Sequence, residues 1–211
     1  MKKITALRVG KGRRKRVSVF LDGEFAFSLE AEIALKEDLR VDQELSPERA
    51  DELANASNYR RCYDAAALIL SYRPRSEPEL RTKLSEKNFP EVSINEVISR
   101  MKEQGLVNDE DFAEFWKDNR DSFSPRSQWL TGQELRRKGV SEEIISRVVG
   151  ELDDEDSAYR AARKKARNLP RNNYQNFFRR LGEHLQRRGF TYGVIKVTVQ
   201  RLWDELQSEE N

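Results

Sequence analysis

Few residues of this 211-residue chain are placed to do covalent chemistry. His184 is the only histidine and Cys62 the only cysteine, so neither a Ser-His-Asp set beyond that one imidazole nor a Cys-His metal cluster can be assembled. No glycine-rich phosphate loop is present. Cys62 falls on an apolar helical stripe and reads as a packed thiol, while His184 sits beside a basic face and reads as a surface side chain. Asn108-Asp109-Glu110-Asp111 and the run from Asp153 to Asp156 could ligate a cation. Yet they lack the glycine and terminal glutamate spacing of a calcium loop, and acids at a helix start are explained by the cap and the dipole. The expectation is a protein with no catalytic residue, no metal and no cofactor.

What the chain does carry is charge. Lysine and arginine number 39, aspartate and glutamate 37, for a net charge of +2, but the distribution is uneven. Residues 1–90 sum to +3, residues 91–156 to −8 and residues 157–211 to +7. Lys11 to Arg16 holds five basic residues in six, and residues 160–188 hold ten with a single acid, Glu183. A basic end beside an acidic middle suits an oriented docking surface better than a uniform nucleic-acid glove. Screening beyond roughly 8 Å leaves only local patches to act strongly.

Helices must position these charges, and the stretch from Tyr72 to Phe89 shows how. Ser76 can cap a helix, Pro78 fits its first turn, and Glu77 and Glu79 favour its positive end. Asn88 enters the left-handed region at low cost, and Phe89 closes the end. A second copy runs from Pro125 to Val140. A more divergent third, from Phe177 to Phe190, lacks the Pro-Arg-Ser start. Leu84, Leu135 and Leu185 stand 51 and 50 residues apart, a period about three helices long. Such a unit cannot bury its apolar face alone, so stacked modules in an elongated array are expected.

Ahead of the repeats, Ile4 to Val9 and Val17 to Leu21 alternate, and Asp22-Gly23 is a strong hairpin turn, predicting three short strands. Glu30 to Lys36 reads as a short helix, and Ser46-Pro47-Glu48 opens a longer one. The fold class is therefore mainly α: a β segment with short helices over residues 1–57, then three-helix repeats over 58–107, 108–152 and 153–211. In the first repeat, Asn58 to Ser71 is the first helix, Ser76 to Lys87 the second, and Ser93 with Glu96 forms a capping box for the third. Phe112, Phe115 and Trp116 make a buried stripe in the second repeat. No apolar run reaches the length of a signal or membrane-spanning segment, and a lone cysteine fits a reducing compartment, which together predict a cytoplasmic protein.

Tyr72-Arg73-Pro74-Arg75-Ser76, then Glu79-Leu80-Arg81 and Lys83-Leu84, resembles the signature of the RecX family, the bacterial regulators of the RecA recombinase. Gly105-Leu106-Val107-Asn108-Asp109 followed by Phe112, and Glu134-Leu135-Arg136 with Lys138-Gly139, agree in order. The resemblance covers about residues 60–206, strongly in the first two repeats and weakly in the third. It implies a protein that binds RecA and its filament on single-stranded DNA. The expected outcome is modulation, chiefly inhibition, of ATP hydrolysis, strand exchange and co-protease activity in recombination, DNA repair and the SOS response. The other reading is a helical nucleic-acid-binding protein acting on DNA without RecA.

The family carries over no catalytic residue, so the expected contacts are surface cations. They are Arg75, Lys83, Lys87, Arg126, Arg136, Arg137 and Lys138 in the first two repeats, with Arg163, Lys164, Arg179, Arg180, Arg187 and Arg188 near DNA or an acidic subunit face. Modest contacts from each module would multiply along a filament when the spacings match. A monomer without membrane contact is expected.

Overall fold

The computed structural model describes residues 1–10 and 16–208, so of the basic run from Lys11 to Arg16 only Arg16 lies within the described residues. The chain divides into two compact units, residues 1–73 with 80–104 and residues 74–79 with 105 onward. The division falls inside one helix, α3 (Glu77–Ser85).

In the first unit β1 (Lys2–Val9), β2 (Arg16–Leu21) and β3 (Glu24–Glu30) form antiparallel hairpins. Asp22 and Gly23 both take the positive φ that a tight two-residue turn demands. A fourth strand, β4 (Glu44–Leu45), pairs with β1 and gives the order β3-β2-β1-β4, where three strands were predicted. Two residues are too few to show a period-two pattern in sequence. Ile4, Val19 and Leu29 are fully buried, and α1 (Ala31–Lys36) adds Ala34 to the same core.

Ser46 caps α2 (Pro47–Tyr72) by accepting from the Arg49 amide at 3.1 Å. The helix then runs unbroken for 26 residues, which corrects the expectation of a separate helix starting at Asn58. Residues 51–57 contain neither Pro nor Gly, so nothing stops it. Its first half buries Ala50 and Leu53 in the sheet core, and Ser57 Oγ donates to the Ser28 carbonyl at 2.7 Å. Its second half buries Cys62 and Ala66 and packs on α4 (Glu91–Glu103). The predicted capping box at Ser93 is not formed. Helix α4 begins at Glu91 behind Pro90, whose fixed φ pre-sets the entry, and Ser93 is a buried first-turn residue.

In the second unit α5 (Asp109–Phe123), α6 (Gln128–Arg137) and α7 (Glu142–Val149) enclose Phe112, Leu135, Val140, Ile145 and Val148. Another core, with Ala158, Ala162, Phe177, Leu181, Leu185 and Val199, lies among α8 (Asp154–Arg167), α9 (Tyr174–Gln186) and α10 (Tyr192–Ser208). The stripe on α5 is rotated from the prediction: Phe112, Ala113 and Lys117 are buried, while Phe115 and Trp116 are half-buried. Lys117 tolerates burial because its stem packs while its ammonium pairs with Glu114 and Glu151, both at 2.6 Å.

The internal repeat holds at the level of single hydrogen bonds. Leu84, Leu135 and Leu185 are each fully buried, and their carbonyls accept from the amides of Phe89, Val140 and Phe190. Asn88, Gly139 and Gly189 supply the left-handed residue that this helix ending requires. The third copy also has a start the sequence reading missed. Pro170-Arg171 precedes Asn172-Asn173, and Asn173 caps α9 by accepting from the Asn176 amide at 3.0 Å.

Candidate partner-binding surface

Two junctions in the second unit are built alike. Ser76, fully buried, donates through Oγ to the Lys138 carbonyl at 2.6 Å, and Gly139 abuts Pro78 so closely that a Cβ there would stand 2.6 Å from its Cγ. Fifty-one residues later, the Ser127 amide donates to the Arg188 carbonyl at 3.0 Å, and Gly189 abuts Ser127, Leu130 and Trp129. At each junction an aspartate takes a neighbouring helix's orphan amide: Asp109 accepts from Glu77 N and Asp154 from Gln128 N, both at 2.7 Å. The expected capping at these helix starts is done by Asn108 and Asp153, through Glu110 N at 2.9 Å and Glu155 N at 2.8 Å, so Asp109 and Asp154 stand in the first turns of α5 and α8 and reach the neighbouring helix besides. Burial is the main influence on Asp154 and raises its pKa against the opposing bond from Gln128.

These junctions draw in four of the cations expected on the open surface. Glu79 pairs with Arg75 at 2.9 Å and with Lys138 at 3.5 Å, and the Lys138 ammonium also lies 4.2 Å from the centre of the Trp116 ring. Glu134 pairs with Arg126 and accepts from Arg120 Nε and Trp116 Nε1, both at 2.8 Å. Arg188 Nη1 donates to His184 Nδ1 at 3.2 Å, and His184 Nε2 donates to the Ala161 carbonyl at 3.1 Å, which fixes the neutral Nε2–H tautomer. Burial lowers the pKa of His184, with Arg188, Lys165 and Arg187 adding to it. Glu134 is therefore a positioning group that the sequence did not reveal, since Arg120 and Trp116 stand 14 and 18 residues from it; His184 meets Arg188 one helical turn on, but its other partner, Ala161, lies 23 residues back.

Two more of the expected cations are exposed but paired, Arg136 with Glu142 and Arg179 with Glu183. The remaining seven, Lys83, Lys87, Arg137, Arg163, Lys164, Arg180 and Arg187, have side chains in no hydrogen bond or ion pair among the described residues. Arg180 also lines a cavity of about 210 Å³ at the start of α9, with Asn172, Asn176 and Phe177. Among the described residues no group of three or more His, Cys, Asp or Glu side chains could hold a metal, and no helix is long and apolar enough to cross a membrane.

A small sheet followed by three-helix modules with open cations and interlocked junctions defines a tandem-repeat protein. Comparison with known proteins agrees segment by segment. Residues 2–46 match the regulatory protein RecX N-terminal domain, and residues 62–101, 108–149 and 153–197 match the first, second and third three-helix domains of RecX. The chain is 34% identical over 209 residues to the regulatory protein RecX of Clostridium beijerinckii, covering 96% of each. It is 26% identical to that of Bacillus pumilus, covering 98% of this chain and 80% of the relative. A crystal structure of regulatory protein RecX shares the fold with a TM-score of 0.58 at 22% identity, over 94% of this chain and 98% of the other. RecX from Lactobacillus salivarius matches with a TM-score of 0.60 at 25% identity, over 70% of this chain and 97% of the other. The chain belongs to the RecX family of regulatory proteins.

Proposed function

We propose that this chain binds RecA and RecA filaments on single-stranded DNA in the cytoplasm and inhibits their ATPase, strand-exchange and co-protease activities. The observation that carries the reading is the coexistence of RecX membership along the chain with exposed cations on the third module, Arg163, Lys164, Arg180 and Arg187, that have no partner among the described residues. The regulator acts by contact, through the open charge that its modules present. RecA's DNA-dependent ATPase, measured with and without the protein, tests this. Inhibition is expected from the unmodified chain and at least a tenfold loss of potency when those four cations become Glu. An ATPase unchanged by the unmodified protein would defeat the reading.

The basic α8 helix supports a second reading, direct binding of single-stranded DNA through Arg163, Lys164 and Arg167. That reading requires affinity for bare DNA to fall steeply with salt, with a slope of roughly −0.7 per phosphate contact.

A further inference from the structure

The two junctions of the second unit occupy equivalent positions and differ in one charge. At the Ser76 junction, Glu79 holds both inward-turned cations, Arg75 and Lys138. At the Ser127 junction the equivalents of Arg75, Glu79 and Lys138 are Arg126, Leu130 and Arg188, so the bridging carboxylate is missing. Arg126 finds Glu134 instead, already engaged by Arg120 and Trp116. Arg188 has no carboxylate among the described residues and rests only on the neutral His184 ring. Its Nε, like that of Arg75, is buried without a hydrogen-bond partner. Arg187 beside it is exposed and, among the described residues, in no ion pair.

An apolar anchor adjoins this uncompensated charge. Trp129 is 64% exposed, and its ring Cε3 lies 3.3 Å from where a Cβ on Gly189 would stand. A half-buried guanidinium lacking its anion beside an open indole has the composition of a protein–protein hot spot, where Trp and Arg dominate. The cations of α8 that suit a phosphate backbone are by contrast exposed.

We propose that an aspartate or glutamate of a partner protein docks at the Ser127 junction, placing on Arg188 in trans the carboxylate that Glu79 places on Lys138 in cis, with an apolar neighbour packed on Trp129. The partner is the regulated protein of the preceding section, so the proposal deepens that reading and rests on it. Recognition is of the acidic side chain, and a bidentate Arg–carboxylate pair fixes its orientation.

Leu130→Glu in the full chain supplies the missing carboxylate internally, and Leu130→Gln is its neutral control. With binding to RecA filaments as the readout, Leu130→Glu is expected to weaken affinity at least tenfold, Leu130→Gln less than threefold, and Arg188→Gln as much as Leu130→Glu. Thermal melts verify folding, and Arg188→Gln decides alone if Leu130→Glu unfolds. If the unmodified chain binds filaments while Leu130→Glu and Arg188→Gln bind as tightly as it does, the proposal is overturned and the filament reading stands. If the unmodified chain does not bind filaments, the filament reading falls and titration with an N-acetylated hexaglutamate peptide decides the proposal. Binding that both variants lose sustains carboxylate recognition, and no binding, or equal binding by all forms, overturns it.

Discussion

The Ser76 hydroxyl donates to the Lys138 carbonyl at 2.6 Å while accepting from the Glu79 amide at 3.3 Å, so one buried oxygen caps its own helix and closes the end of another. Removing it loses a cap and orphans a carbonyl. Ser76→Ala should therefore cost about 2–3 kcal/mol, against about 1 kcal/mol for Ser141→Ala, whose cap on Ile144 N is exposed. Urea denaturation midpoints of the two variants check the order.

Gly139 and Gly105 both take positive φ, at 79° and 68°, but only Gly139 is crowded, by Pro78. Alanine in the left-handed region costs about 1–2 kcal/mol at either site. Overpacking adds roughly 1–3 kcal/mol at Gly139 alone, where the new Cβ would meet Pro78 Cγ at 2.6 Å. Thermal melting should therefore place Gly139→Ala well below Gly105→Ala, and equal midpoints would remove the close approach from the account.

His184 is neutral between the Ala161 carbonyl and Arg188, and burial holds its pKa below the ordinary 6.5. The unfolded chain takes up the proton first as pH falls. The stability from the neutral ring is thus complete above about 6.5 and is lost as pH drops below that value toward the folded pKa. Arg188 and Arg187, just past the end of α9, and Lys165 from α8 all act in this direction. Stability should fall between pH 7.5 and pH 5.5 by more in the unmodified protein than in His184→Gln, as read by denaturant titration at the two pH values.

Cys62 is fully buried in α2, and burial alone pushes its thiol up to about 11. At pH 8 only about one molecule in a thousand would carry the reactive thiolate. Native protein should react with a thiol reagent at least tenfold more slowly than protein in urea, in a single-cysteine chain where the signal has one source. Equal rates would mean that α2 opens readily around this residue.

Local chemistry made the modules legible. Ser127, Ser141 and Asn108 cap helices by bonding amides two or three residues on, and Asn88, Gly139 and Gly189 end them by conformational preference, so each signal lies within a few residues of the structure it dictates. The sequence by itself therefore determined the helix ends at those positions, the three copies of the buried leucine and the family. Tertiary structure decided which charge faces which. Asp109 serves an amide 32 residues away and Asp154 one 26 away, Glu79 reaches Lys138 as well as Arg75 one turn before it, and Glu134 gathers Trp116, Arg120 and Arg126. Electrostatic and hydrogen-bond partners are selected by distances of a few ångströms that helix packing sets. Spacing along a chain carries those distances only within a helix turn or two.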